Sequence, residues 1–338
     1  MADIKYKIRM FAQEHGSLSK IYELTRSIGA PIKYRREKSE QAIDNVRFIN
    51  YWTSENATDR WFYYFLKDRG LLEKLGNKTL AFFSIFGVRR AMLWDDSDIK
   101  VFFTGENVQD NAVKYIDNAL DIKEIDLSLG FENIDSERYM RFPLWIQYFV
   151  KPDARANDIR ELCKKWNSPS AAGRNKFASH ISSHDKGGIR KQIVEAMARI
   201  EDVDCAGKFM HNDDSLWQEH DNDKLEYLRQ YKFNICPENT DRAAYSTEKL
   251  FEAIDAGCIP VYNGSHNKPE PDIIDQDAVI FWEKDEKNED AIRRIRELYS
   301  SPPALKEFLE QSRVTDIAAD VIIDQLDALE ARFSEIIS

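Results

Sequence analysis

From Val46 onward the chain alternates short apolar runs, bounded by turn residues, with segments of helical character, and this alternation limits the fold more than any other feature. The runs VRFINYW, LAFFSIFG, IKVFFTGEN and EIDLSLGFE have strand length, and DRWFYYFLKDRGLLEKL between the first two reads as helix. Strands that alternate with helices predict an α/β domain with a largely parallel sheet. An aromatic stretch and a helix, RYMRFPLWIQYFVKPDARANDIRELCKKW, lead to NSPSAAGRN, the most linker-like segment present, so the domain boundary is placed near Ser170. A second series follows, with KFASHISS, DVDCAG and YKFNIC as strands and IRKQIVEAMARI and DKLEYLRQY as helices. The expected domains are residues 1–170, carrying a charged, weakly helical appendage at 1–42, and 171–338, carrying a helical tail at 303–338. In the tail Val314, Ile317, Val321, Leu326, Leu329 and Phe333 keep one apolar face, which is expected to dock on the chain itself. The length of 338 residues and the 43% hydrophobic content suit two such domains. Open parallel sheets bind ligands at the carboxyl ends of their strands, so the loops after strands are where chemistry is expected.

Several functions are disfavoured. A formal charge of −11 opposes general nucleic-acid binding, which needs a basic field. The opening MADIKYKIRMFAQEHG has no apolar core of a secretion signal, and no run of about eighteen apolar residues occurs. A soluble cytoplasmic protein is expected, with peripheral contact to the inner face of the membrane as a variant of that reading, and the sequons at Asn56 and Asn77 then carry no meaning. Cys163, Cys205, Cys236 and Cys258 lack metal-ligand or redox spacing and are expected to be buried thiols. DxD triplets begin at Asp96, Asp202, Asp221 and Asp275, but an acidic chain produces them by chance; there is no GxSxG elbow, P-loop or GxGxxG fingerprint.

The most informative stretch is YKFNICPENTDRAAYSTEKLFEAIDAGCIPVYNG, residues 231–264. It reads as a strand through Cys236, a loop, a helix N-capped by Ser246 and ended by Gly257 at C′, and a second strand at CIPVY. Lys249 falls in the first helical turn, where the dipole and free N–H groups already present positive charge. An anion such as phosphate bound there would explain the placement, with Glu248 accepting hydrogen bonds from sugar hydroxyls. Read locally, the pair is equally explained by Glu248 favouring the dipole while Lys249 projects into water.

Taken together, Phe233, Glu238, Asn239, Tyr245, Thr247, Glu248, Lys249, Ile259, Pro260, Tyr262 and Gly264 resemble in order and spacing the signature of α1,3/4-fucosyltransferases, the bacterial-type members of glycosyltransferase family 10. Pro237, Ser246 and Asn263 depart from its usual residues. Upstream, SIFG, VFFTGEN, LSLGFE and RYMRFPLW look like its acceptor-domain segments, and the similarity runs from about Val46 to about Pro303. The resemblance implies a GT-B architecture, two Rossmann-like domains facing a cleft, and an inverting transfer of L-fucose from GDP-β-L-fucose to a GlcNAc-containing glycan, either an oligosaccharide or a glycolipid. It implies Arg190 and Lys249 as pyrophosphate-binding cations, Glu248 on the donor sugar hydroxyls, Asn239 and Tyr245 along the nucleotide and fucose pocket, and Glu106 as general base. No cofactor or metal is required on this reading, and stimulation by Mn2+ or Mg2+ is left open. Contact of Glu106 with acceptor hydroxyls alone, a different nucleotide sugar, and a non-catalytic sugar-nucleotide binder stand as alternatives. Acceptor contacts are expected in FSIFGVRRAMLW and TGENVQDNA.

Overall fold

A computed structural model describes residues 16–51, 60–107, 119–168 and 174–338, with side chains from residue 28. The expected boundary at Ser170, part of the TGENVQDNA loop and the sequon at Asn56 lie outside them. The chain forms two compact units, one of residues up to 142 with 151–153 and 328–338, the other of 143–150 with 154–327.

The first unit is built on a six-stranded sheet in the order β1 (Ala42–Ile43), β2 (Val46–Ile49), β3 (Leu80–Phe83), β4 (Ile99–Phe103), β5 (Leu127–Gly130), β6 (Tyr139–Arg141). Only the β1–β2 pair is antiparallel; β2 to β6 are parallel, as the near-continuous apolar runs predict for strands covered on both faces. Helix α1 (Gly16–Glu40) lies against this sheet through buried Glu37, whose carboxylate accepts from Asn50 N at 2.9 Å. Helices α2 (Trp61–Asp68), α3 (Leu71–Leu75) and α4 (Arg90–Trp94) complete the layers. One face is an aromatic cluster in which Phe62 stacks on Phe82 at 4.9 Å and Phe333 meets both rings at 6.0–6.1 Å.

The second unit follows α5 (Trp145–Phe149) and α6 (Ala156–Trp166) with a five-stranded parallel sheet in the order β11 (Ile280–Phe281), β10 (Ile259–Tyr262), β9 (Tyr231–Ile235), β7 (Lys176–His180), β8 (Val203–Cys205). Each connection is helical: α7 (Ile189–Met197) after β7, α8 (Ser215–Gln218) and α9 (Lys224–Leu228) after β8, and α10 (Glu248–Asp255) after β9. Both units are thus Rossmann-like. Residues 145–166 precede the linker-like segment yet pack here, because Phe251 of α10 stacks on Trp145 at 4.1 Å and also meets Trp166. Helix α10 ends as expected at Gly257, whose φ of +78° continues into hydrogen bonds from Gly257 N to Ile254 O and Cys258 N to Ala253 O. Two buried guanidiniums then hold its carboxyl end. Arg174 donates to Ala256 O and Tyr231 O, and Arg313 to Gly257 O and Cys258 O. Burial pulls both arginines down from their usual value, Arg313 to about 10, which leaves them charged at neutral pH opposite the negative end of the helix dipole.

All four cysteines are buried and free. The DxD aspartates have structural partners: Asp96 pairs with Arg47 at 2.6 Å and Lys38 at 2.7 Å, Asp98 accepts from Thr79 N at 2.7 Å, and Asp204 accepts from Tyr231 Oη at 2.7 Å. The tail differs from its predicted face. It forms α11 (Glu289–Ser300), α12 (Pro302–Glu310) and α13 (Ala318–Ile337); Val314 precedes α13 and bridges Ile274, and Ile317 is 54% exposed. The buried stripe is Ala318, Ile322, Leu326, Leu329, Phe333 and Ile337, because the helix starts only after Ile317.

Replacing Phe333 with alanine is expected to cost about 3–5 kcal/mol of unfolding free energy in urea titrations, while Ile317→Ala costs less than about 0.5 kcal/mol. Equal losses in the two variants would contradict the packed stripe.

Candidate functional site

The strand order of the second unit has one reversal. From β7 the chain moves outward through α7 to β8, then returns to the other side of β7 as β9. Neighbouring loops therefore part above the carboxyl ends of β7 and β9, the position where open α/β sheets bind ligands. A cavity lies there, lined by His180 at the end of β7, Pro237 beyond β9, Arg190 of α7, and Lys249 and Glu252 of α10.

The loop after β9 is organised by one carboxylate. Pairing of β9 with β10 continues past the strand ends through Cys236 N to Val261 O and Glu238 N to Asn263 O, which carries Glu238 into the interior. Its Oε1 accepts from Thr247 N at 2.7 Å, and its Oε2 accepts from Thr247 Oγ1 at 2.7 Å and Lys249 Nζ at 3.2 Å. The Tyr262 hydroxyl lies 3.5 Å from Oε1. Lys249 also donates to Thr247 Oγ1 at 2.8 Å and pairs with Glu248 at 3.4 Å. A cation at this helix start is therefore tolerated because a buried anion sits beneath it. The N-cap is Thr247 rather than Ser246, since Glu238 engages the Thr247 amide and hydroxyl while the Ser246 hydroxyl faces that of Ser265 at 3.0 Å. Gly264 closes the same packing: with φ at +149°, a Cβ there would stand 2.7 Å from Glu238 Cγ.

Arg190 is neutralised differently. It opens α7 after Gly188 and is only 3% exposed. One terminal nitrogen donates to His184 O, and Nη2 donates to Asn239 Oδ1 at 2.7 Å. Its buried Nε has no partner among the described residues. No carboxylate bonds the guanidinium there, and burial pulls it down from its usual value, partly offset by the charges of Asp185 and Glu238. A cationic fork with an unspent donor at a strand-end cavity fits an oxyanion.

The surrounding titratable groups divide by environment. Burial raises the Glu248 carboxyl, but the charges of Lys249 and Lys224 outweigh it and hold Glu248 below its ordinary value. Burial lifts Glu252 instead, assisted by neighbouring Glu248. His184 is lowered by burial and then by the charge of Arg190. His180 is lowered by burial to about 4, and its ring bridges Ile235 O at 2.8 Å and Ser182 Oγ at 2.7 Å, which assigns the proton to Nδ1. Tyr245 is buried, and its carbonyl accepts from Ser265 Oγ at 2.7 Å. Ser265, His266 and Asn267 form three successive left-handed residues, held by that bond and by His266 N to Asp241 Oδ1 at 2.6 Å. Such strain persists only where the surroundings enforce it.

Of the predicted residues, the structure joins Arg190 to Asn239 and Lys249 to Glu248, and the first and third of these four line the cavity. Glu106 belongs to the first unit. It lies three residues beyond β4, half-buried past the carboxyl end of a central strand, with its amide donating to Thr104 Oγ1 at 3.2 Å.

Residues 46–148 match the profile of the alpha-(1,3)-fucosyltransferase FucT N-terminal domain, and residues 171–324 match the C-terminal profile of glycosyltransferase family 10 (fucosyltransferase). The chain belongs to glycosyltransferase family 10. It is 28% identical over 269 residues to the alpha-(1,3)-fucosyltransferase FucT of Helicobacter pylori, an alignment covering 70% of this chain and 53% of that protein. It is 32% identical over 98 residues to an alpha-(1,4)-fucosyltransferase of Arabidopsis thaliana, covering 29% and 23%. The chain thus spans about half the length of the Helicobacter relative and less of the plant one. Its fold matches a crystal structure of an alpha1,3-fucosyltransferase with a TM-score of 0.58 at 20% identity, covering 91% of this chain and 96% of that one. A crystal structure of an alpha1,3-fucosyltransferase with GDP-fucose matches with a TM-score of 0.53 at 20% identity, covering 92% and 97%. In this member of the family, the residues that depart from the usual signature have partners of their own. Ser246 bonds Ser265, and Asn263 Nδ2 donates to Trp282 O at 2.8 Å. The structural anchor missing from the predicted site was Glu238. Its signal was present, since Glu238 is one of the residues that carry the resemblance, but nothing in one sequence says that it points inward.

The buried His180 makes stability pH-dependent. The unfolded chain takes up its proton near pH 6.5, whereas the folded ring stays neutral down to about 4. Stability contributed by the neutral ring is present above about 6.5 and is lost as pH falls toward 4, by at most about 3 kcal/mol. Urea titrations across that window should show His180→Asn losing less stability on acidification than the parent; parallel curves would argue against it.

Proposed function

We propose that the chain transfers L-fucose from GDP-β-L-fucose to a hydroxyl of a GlcNAc-containing glycan, forming an α1,3 linkage with inversion. The observation that carries this reading is Arg190, a buried guanidinium with an unspent donor, beside Lys249 at the reversal of a Rossmann-like sheet. The family membership narrows the oxyanion to the diphosphate of a sugar nucleotide.

In the proposed reaction residues 171–338 hold the donor and residues 1–170 the acceptor. Arg190 and Lys249 bind the diphosphate, Glu248 accepts from donor sugar hydroxyls, and Asn239 and Tyr245 shape the nucleotide and fucose pocket. Glu248 suits its role because its neighbours keep it ionised, and an ionised carboxylate only accepts. Asn239 suits its own by fixing the rotation of the Arg190 fork. Glu106 takes the proton of the acceptor hydroxyl as the new C1–O bond forms. The bond from C1 to the β-phosphate oxygen breaks, and its electron pair leaves with GDP, whose added charge falls on the two cations. Its place three residues past the carboxyl end of a central parallel strand, half-buried, supports Glu106 in this position.

Incubation with a panel of sugar nucleotides and short β-galactosyl-GlcNAc glycans, followed by product mass, tests the substrate pair. A hexose mass increment from another nucleotide sugar, with none from GDP-fucose, would replace the donor assignment. Glu106→Gln is expected to slow transfer about 10²–10⁴-fold with GDP affinity unchanged. Arg190→Ala is expected to weaken GDP binding roughly 10–100-fold in calorimetry. Unaltered turnover in the first variant moves the base elsewhere, and unaltered GDP affinity in the second removes the diphosphate role.

A further inference from the structure

Two segments of the first unit expose large apolar side chains in an otherwise acidic chain. On α1, Ile28 and Ile32 are 69% and 74% exposed, four residues apart on one face, while Ala30, Glu37 and the Lys33 ammonium turn toward the sheet side. Beside α1, the loop and helix from Phe86 to Trp94 expose Phe86, Leu93 and Trp94. The two segments are bonded side by side: Lys33 Nζ donates to Phe86 O at 2.6 Å, Tyr34 Oη donates to Trp94 O at 3.2 Å, and the Tyr34 and Trp94 rings meet edge-on at 6.1 Å.

Their charge is as uneven as their polarity. Residues 28–36 hold Lys33, Arg35 and Arg36, residues 86–94 hold Arg89 and Arg90, and neither segment contains an acidic residue, although the whole chain carries −11. Lys33 pairs with Glu37 at 3.1 Å, Arg89 reaches Asp121, Arg36 stands 3.9 Å from Glu40, and Asp95 and Asp96 follow Trp94, whereas Arg35 and Arg90 have no ion pair among the described residues. Apolar wedges interleaved with arginines, two of them without an ion pair among the described residues, match the interfacial layer of a bilayer: acyl boundary for the isoleucines and aromatics, anionic headgroups for the guanidiniums.

We propose that the face formed by α1 from Ile28 to Arg36 and the segment Phe86–Trp94 docks this protein on the surface of an anionic lipid bilayer. The inference stands apart from the transfer reaction and needs none of the donor residues.

The test is sedimentation of the full chain with vesicles of phosphatidylcholine and phosphatidylglycerol against vesicles of phosphatidylcholine alone. Binding is expected only to the mixed vesicles and should weaken as salt rises from about 0.05 to about 0.5 M, where screening shortens to a few ångströms. The double variant Arg35→Gln/Arg90→Gln is expected to bind roughly thirtyfold more weakly, from the contribution of each cation near an anionic surface. Ile32→Ser is expected to weaken binding at both salt concentrations, since it removes apolar contact rather than charge. Both variants alter exposed side chains, and an unchanged unfolding temperature confirms that the fold is intact. Equal affinity for the two vesicle types, no binding to either, or variants that bind as the parent does would overturn the proposal. So would a concentration-dependent dimer, dissolved by Ile32→Ser, in the absence of vesicle binding.

Discussion

The buried carboxylate of Glu238 is the contact on which the rest of the candidate site depends. A carboxyl group in the interior needs its acceptor positions filled, and here a backbone amide, a hydroxyl and an ammonium fill them. Each partner is thereby fixed in turn. Thr247 sets where α10 begins, Lys249 is held at its first turn, and Gly264 is required because the carboxylate stem occupies the space of a side chain. The strand pairing from Glu238 N to Asn263 O ties the same residue to β10. One acid thus links loop, helix and strand.

Lys249 and Arg190 are cations of different standing. Lys249 has a carboxylate on two sides, so its charge is largely answered before any ligand arrives. Among the described residues Arg190 bonds neutral groups, feels the charges of Asp185 and Glu238 only at a distance, and keeps a buried donor unspent. Arg190 therefore keeps more donor capacity for an anion than Lys249 does, and the helix-start lysine also ties Glu238 to Thr247. In the sequence Lys249 stands out by its place at a helix start, whereas Arg190 enters through the family resemblance alone.

Much of the fold was legible because periodicity reports burial directly. Runs such as LAFFSIFG and IKVFFTGEN became β3 and β4, and the βαβ unit at 231–264 folded nearly as read, including Gly257 at the helix end. Misreadings arose where a neighbour distant in sequence decided the matter. Ser246 is the better N-cap by type, but Glu238 claims the amide and hydroxyl of Thr247, so the helix starts one residue later. Ile317 continues the apolar spacing of α13 but falls before the helix begins, because Arg313 and Val314 are held in extended form by Asn167 Oδ1. In the site, the family resemblance pointed to Arg190, Glu248 and Lys249, and the helix start pointed to Lys249 as well. That Asn239 orients Arg190, and that Glu238 lies beneath Lys249, are facts of side-chain direction that spacing does not encode.

Helix α10 is pinned at both ends. Glu238 holds Thr247 at its start, and Arg174 and Arg313 grip the carbonyls of residues 256–258 at its finish. Its length is therefore a ruler set between two fixed points. One inserted residue would turn Lys249 by about 100° and advance it about 1.5 Å, out of reach of Glu238, with no slack at the arginine end to absorb the change. A lineage can alter this pocket by exchanging side chains along the helix, but not by changing how many there are. The register from Thr247 to Gly257 behaves as a unit of inheritance in its own right, and a count of residues carries as much meaning there as their identity.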